Sequence, residues 1–260
     1  MKKILLVEGN LKEANQEFTE NGIKTHTESL QESISYYTNS LEIDSVNPSS
    51  DKDIFNKVKD LNKYEGLIWG GSSLNIYSDT KEIRRQIEFM KECQKRIKNI
   101  LAICWGMQVA VTAAGGVVNR GKNGAHRGIA HEIVINSDGL NHPIYKDKDK
   151  IFNTPAFNYD EVVTLPKDAI LLSSNKVNNV MALNFETEFS KIWGIQYHPE
   201  ITYEKMITLI KFRRERLLEN KSFSDEKDLE SHISMIENED KITKKESRMR
   251  ELKNWLDLIA

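Results

Sequence analysis

Ile100-Leu101-Ala102-Ile103-Cys104-Trp105-Gly106-Met107-Gln108-Val109-Ala110-Val111 is the stretch on which the fold turns. Four apolar residues ending at Ile103 have the length of a strand buried on both faces. From Trp105 to Val111 the pattern reads as a helix, so Cys104 sits at a strand-to-helix elbow. A turn this sharp needs small neighbours, which Ala102 and Gly106 supply, and it lifts the side chain to the carboxyl edge of a sheet. The positive end of the helix then faces the sulfur. Taken alone, a cysteine between Ile103 and Trp105 fits an inert core position more readily than a reactive one, so the surrounding pattern decides.

Outward from this elbow, further short apolar runs stand at Ile4 to Val7, Gly66 to Trp69 and Lys191 to Gln196. Between them Thr80 to Arg96 places Ile83, Ile87 and Met90 at helical spacing, as a crossover helix does. Short apolar runs alternating with amphipathic stretches predict an α/β fold: a doubly wound, mostly parallel sheet with flanking helices. Residues 10–50 are polar, with only Leu30, Ile34 and Tyr37 suggesting a packed helix, and are expected to form an irregular surface excursion. From Val117 to about Phe185 turn signals such as Asp138-Gly139 and His142-Pro143 punctuate short strands, which predicts a mixed extension of the sheet. After Ile201 charged helical stretches contain neither proline nor glycine, and Met249, Leu252, Trp255, Leu256 and Ile259 form an apolar stripe. The expected division is a main domain over 1–215 and a C-terminal helical arm over 216–260, docked on this chain or on another subunit.

The 260 residues carry a formal net charge of only -2 and are 39% hydrophobic, which fits a globular protein with a small ligand and no strong attraction to nucleic acid or a membrane surface. Two cysteines, Cys93 and Cys104, cannot form a disulfide framework and lack the spacing of a structural zinc site. A reducing, cytoplasmic setting is expected. No apolar run approaches the length of a membrane span or a signal-peptide core.

Two further motifs give Cys104 its context. In Gly194-Ile195-Gln196-Tyr197-His198-Pro199-Glu200 an apolar strand runs into a histidine, a proline and a carboxylate. Proline biases His198 toward extended backbone, and side chains two apart in an extended segment project to one side. Glu200 can therefore accept an imidazole N–H and fix the tautomer of His198. In Leu67-Ile68-Trp69-Gly70-Gly71-Ser72-Ser73 a buried strand ends in paired glycines, where bare N–H groups can approach a ligand closely. A simple turn is the ordinary meaning of Gly-Gly, as a surface turn is of His-Pro-Glu.

Together and in this order, the three motifs resemble the class I glutamine amidotransferases, whose pattern is Gly-Gly after a strand, then G-x-C-x-G-x-Q, then H-P-E. The likeness spans roughly residues 1–215, and Asn141-His142-Pro143 through Phe157 to Val162 is similar to the relatives of the GMP synthetase glutaminase domain. The resemblance implies Cys104 as nucleophile, His198 as base and acid, Glu200 as its orienter, and Gly71 and Trp105 as oxyanion donors. It further implies Gly70, Gln108, Asn158 and Tyr159 as substrate contacts. Ala102 departs from the glycine usual in the family. The implied reaction cleaves the γ-glutamyl amide of glutamine through a cysteinyl thioester, with no cofactor and no metal. A separate synthase subunit would be the ammonia acceptor, and homo-oligomerisation is left open.

A γ-glutamyl peptidase or hydrolase shares this fold and triad and is the near alternative. A non-catalytic regulatory subunit is the alternative of another class. A further thiol-containing family, in which an acid at the end of the first strand faces the cysteine, would use Glu8. His26, His126, His131, His142 and His232 lack carboxylate or thiol neighbours at metal-ligand spacing and are expected at surface or core positions. Cys93 is expected to be partly buried, and no G-x-G-x-x-G follows the first strand.

Overall fold

The computed structural model describes residues 2–259. The chain opens with β1 (Lys2–Val7), α1 (Lys12–Glu20), α2 (His26–Tyr37), β2 (Leu41–Val46), α3 (Ile54–Lys57), β3 (Gly66–Trp69), α4 (Lys81–Gln94), β4 (Asn99–Ile103) and α5 (Trp105–Ala113). The middle of the chain is strand-rich: β5 (Val117–Arg120), β6 (His126–Arg127), β7 (Ala130–Ile135), α6 (Ser137–Leu140), β8 (Ile151–Thr154), β9 (Phe157–Asn158), β10 (Asp160–Thr164), β11 (Ile170–Ser174) and β12 (Ala182–Glu186). After β13 (Lys191–Ile195) only helices follow: α7 (Tyr203–Phe212), α8 (Arg214–Glu219), α9 (Glu226–Ile242), α10 (Lys245–Arg248) and α11 (Arg250–Ile259).

Nine strands make one sheet in the order β2-β1-β3-β4-β13-β12-β11-β7-β8. The first five are mutually parallel, and from β13 outward the pairing turns antiparallel. This is a mostly parallel, doubly wound sheet with the expected mixed extension. Its parallel strands are apolar throughout because helices cover both faces: Ile4, Leu5, Leu6 and Val7 are all fully buried, as are Ile100 to Ile103. The order of strands reverses at β1, and the segments leaving the carboxyl ends of β1, β3, β4 and β13 converge there.

Residues 10–50 differ from expectation. They form two helices and the parallel edge strand β2, not an irregular excursion. Helix α2 begins with a full capping box, in which the Thr25 hydroxyl accepts from the Glu28 N–H and the Glu28 carboxylate accepts from the Thr25 N–H. Cys93 is fully buried, and burial pushes its thiol well up from the ordinary value.

The stripe on the last helix is buried in this chain. Met249, Leu252, Trp255, Leu256 and Ile259 share one apolar cluster with Ile4, Ile68, Leu101 and Ile195. A β-carbon on Gly66 would lie 2.7 Å from the Trp255 ring, so the indole packs directly on the backbone of β3. At the end of α11 the Lys2 ammonium donates to the Ile259 carbonyl over 3.0 Å. Beneath the helix runs a buried polar chain: Glu251 pairs with Lys148 at 3.1 Å and accepts from the Tyr197 hydroxyl at 2.7 Å, and the Tyr197 oxygen lies 2.9 Å from the Tyr145 hydroxyl, from which it can accept. Helix α9 packs instead on α7, burying Leu229, Ile233 and Ile236 against Tyr203 and Ile210.

Candidate active site

Cys104 caps α5 at φ 53° and ψ -106°, a conformation that a residue with a side chain adopts only under strain. The elbow is held from both sides. The Cys104 N–H donates to Ile195 of β13 at 2.7 Å, and the Gly106 N–H donates to Gly70 at 3.2 Å. Gly106 lies so close against the backbone of Trp69 that no β-carbon fits between them. Ala102 is fully buried in register with Trp69 and Gly194, where its methyl is accommodated.

From the end of β13, His198 and Glu200 project to the same side. The Nδ1 of His198 lies 2.8 Å from Glu200 Oε1, and both side chains are buried. Burial by itself disfavours the imidazolium, yet the Glu200 carboxylate and the Cys104 sulfur outweigh it and push His198 up to about 10. For Glu200 burial alone would raise the carboxyl, but His198 and then His26 hold it well below the usual range. Relative to unfolded values of 6.5 and 4.5, His198 contributes stability that is complete below pH 6.5 and lost as pH rises toward 10, and Glu200 contributes stability present above pH 4.5. The margin of wild type over Glu200→Gln in denaturant midpoint is therefore expected to peak between pH 4.5 and 6.5 and to shrink toward pH 10. A margin growing over that upper range would contradict the ion pair.

A cavity of about 340 Å³ opens beside these groups, lined by Cys104, Trp105, Gln108, Asn158, Tyr159 and His198 among others. Gln108 donates to Gln196 Oε1 at 3.4 Å, and Gln196 in turn donates to the Cys104 sulfur at 3.4 Å. Asn158 spends its amide on protein partners, at 2.8 Å to His126 Nδ1 and 2.9 Å to the Asp160 carbonyl. Tyr159 carries the Arg120 guanidinium 4.6 Å over its ring. Neither Gly70 nor Gly71 is among the lining residues; the Gly70 N–H donates to Val7 at 3.0 Å and its carbonyl accepts from Gly106, so its backbone supports the elbow. Gly71 lies against two imidazoles, since a β-carbon there would sit 2.6 Å from His26 Cε1 and 2.8 Å from His198 Cε1.

A class-I glutamine amidotransferase model matches residues 22–214, about three quarters of the chain. The chain belongs to that family of enzymes. This amidotransferase-type chain is 29% identical to a gamma-glutamyl-L-1-hydroxyisopropylamide hydrolase from Pseudomonas over 219 residues, 77% of this chain and 74% of that protein. It is 32% identical over 106 residues to a glutamine-hydrolysing GMP synthase subunit from Methanosarcina acetivorans, covering 41% of this chain and 52% of that protein. Its fold matches the crystal structure of a glutamine amidotransferase from Thermotoga maritima with a TM-score of 0.67 at 18% identity, covering 99% of this chain and 97% of that one.

Two residues of the amidotransferase site escaped the sequence reading. His26, expected at a surface or core position, is the first residue of α2 and stacks on His198 with ring centroids 5.4 Å apart. Its Nδ1 is 3.9 Å from Glu200 Oε1, and burial holds it below its ordinary value. The signal that could have placed it is Thr25-x-x-Glu28, a capping box that starts a helix. Gln196, a fully buried amide in an otherwise apolar strand end, is the second.

Glu8, by contrast, does not face the thiol: its carboxylate accepts from the Thr27 N–H at 3.0 Å and hydroxyl at 2.8 Å. The ligating atoms of His26, His198 and Glu200 lie within 4.8 Å of one another, but a cation would have to break the 2.8 Å bond between the last two. Among the described residues no helix is long and apolar enough to cross a membrane.

Proposed function

We propose that the chain hydrolyses γ-glutamyl amides through a cysteinyl thioester, with glutamine as the simplest member of the substrate class. The observation that carries this reading is the strained Cys104 elbow facing the buried His198–Glu200 pair across one cavity. Cys104 sulfur attacks the γ-carbonyl carbon as a thiolate, and the carbonyl π electrons move onto oxygen. The N–H groups of Gly71 and Trp105, which have no backbone partner among the described residues, are the proposed oxyanion donors. Collapse breaks the C–N bond while His198 protonates the departing amine. Water, deprotonated by His198, then cleaves the thioester and releases glutamate. Glu200 keeps the His198 ring in register and supports its positive charge; Gln196 holds the sulfur by its amide.

Likeness to a GMP synthase subunit favours a second reading, in which released ammonia passes to a separate synthase subunit. The two readings differ in whether a co-purifying protein raises glutamine turnover. A cytoplasmic setting is part of the proposal, supported by two free cysteines.

A glutamine-like electrophile should label Cys104 stoichiometrically, read by intact-protein mass spectrometry; absence of labelling at Cys104 would defeat the nucleophile assignment. Glu200→Gln is expected to lower kcat roughly 10²- to 10⁴-fold, because it removes the charge but leaves the ring a neighbour. His198→Ala removes the proton carrier itself and should cost more, roughly 10⁵-fold. Equal and negligible losses in the two variants would refute the pair's role.

A further inference from the structure

The charge of the cavity exceeds what a glutamine molecule requires. Arg120, Arg127, Lys205, Arg213 and Arg216 line it, against a single lining carboxylate, Asp160. None of the five cations forms an ion pair among the described residues, whereas their sequence neighbour Arg214 turns outward to Glu226 and Glu230. Asp160 is occupied by Asn75 at 2.7 Å and Tyr77 at 3.1 Å. Arg120 and Arg216 stand at the exposed rim, while Arg127, Lys205 and Arg213 are half-buried.

The two inner arginines are the informative ones. Arg127 has its Nε buried without any hydrogen-bond partner, and its guanidinium lies 5.7 Å over the Phe223 ring. Arg213 spends one N–H on Ser73 Oγ at 2.8 Å and lies 4.9 Å over the Phe157 ring. Aromatic faces and one hydroxyl fix the two forks without neutralising them, and burial pushes Arg213 down to about 10. Half-buried guanidinium groups without an anion are costly and are retained where a ligand brings the anion. Lys205 is less available, since it donates to Ser29 at 2.7 Å.

Glutamine brings one carboxylate and one ammonium, no net charge. Its α-carboxylate uses one cation, which leaves the others unanswered. The cavity also has more room than one small amino acid fills, about 340 Å³, inside the range of roughly 300–1,000 Å³ in which larger ligands bind. Resting on the γ-glutamyl hydrolase reading, we infer that the amine half of the substrate itself bears a carboxylate, read by Arg127 and Arg213. The substrate class is then a γ-glutamyl amino acid or short peptide, not a γ-glutamyl amide of a neutral amine.

γ-Glutamyl-alanine and γ-glutamyl-alaninamide differ in that carboxylate alone and are the probes. With full-length wild type, kcat/KM is expected to favour γ-glutamyl-alanine at least tenfold, and Cys104→Ala should bind it with a correspondingly lower Kd by calorimetry. Arg127→Gln and Arg213→Gln should each narrow the ratio of the two Kd values roughly tenfold, the size of one lost charge-assisted bond. Because both compounds are bound by the same variant, partial loss of folding cannot mimic a change in the ratio. Equal Kd values for the two compounds in Cys104→Ala would overturn the inference, even with both hydrolysed, and would leave the hydrolase reading standing. Preferential binding without turnover by wild type would do the reverse.

Discussion

Cys104→Ala is expected to abolish release of amine or ammonia from every γ-glutamyl amide, a loss of roughly 10⁵-fold or more, while the protein stays folded. The residue sits at φ 53°, where a side chain is held under strain, and although it is buried it also lines the cavity. The stronger form of the test is Cys104→Gly, which removes the β-carbon that makes the conformation costly. That variant should be equally inactive yet more stable than wild type, by about 1 kcal/mol. Activity and denaturation midpoint measured on the same samples separate the alternatives: a core cysteine would lose both together. Residual turnover near wild type in either variant would end the proposal that Cys104 carries the chemistry.

The second large effect is on the C-terminal helices. Trp255 is fully buried against the backbone of β3, and Trp255→Ala is expected to cost about 3–5 kcal/mol, a large share of the roughly 5–15 kcal/mol that holds a domain together. Truncation before Lys241 removes in addition the Arg248 guanidinium, which donates to the carbonyls of Pro199 and Ile201, the two residues flanking Glu200. We therefore expect the truncated chain to lose cooperative unfolding and γ-glutamyl hydrolysis together. A truncated protein that melts like wild type and loses only stimulation by a partner would show a docking arm instead, with 1–215 as a free-standing domain. Arg248→Met separates the contributions: it should preserve most of the fold and lower kcat, because the carbonyls that hold the His198–Glu200 segment lose their donor.

What the sequence disclosed follows from burial. β1, β3, β4 and β13 are covered on both faces and so read as unbroken apolar runs, and the residues that leave their carboxyl ends were identified with them. The segment 10–50 was misread because its elements are only partly covered: α1 buries Phe18 alone, and edge strand β2 has no buried residue to mark its register. His26 enters the site through that segment, 172 positions from His198 in the chain, so no local motif links the two. The inner arginines were equally silent, since a cation's missing partner is a property of three-dimensional surroundings and not of neighbours along the chain.

The contact between the first strand and the last helix has a consequence for how the protein is made. On the ribosome the elbow bearing Cys104 is synthesised long before Arg248 exists to hold the His-Pro-Glu segment, and before Trp255 can close over β3. At roughly 5–20 residues per second the interval between the nucleophile and the clamp is about seven to thirty seconds. Through that interval the sheet lacks one covering helix, so the nascent chain exposes apolar strand surface and carries a cysteine without a fixed base. Catalytic competence should therefore appear only once residue 248 has been made, and translation arrested before it should yield chains that bind chaperones and do not react with a glutamine-like electrophile.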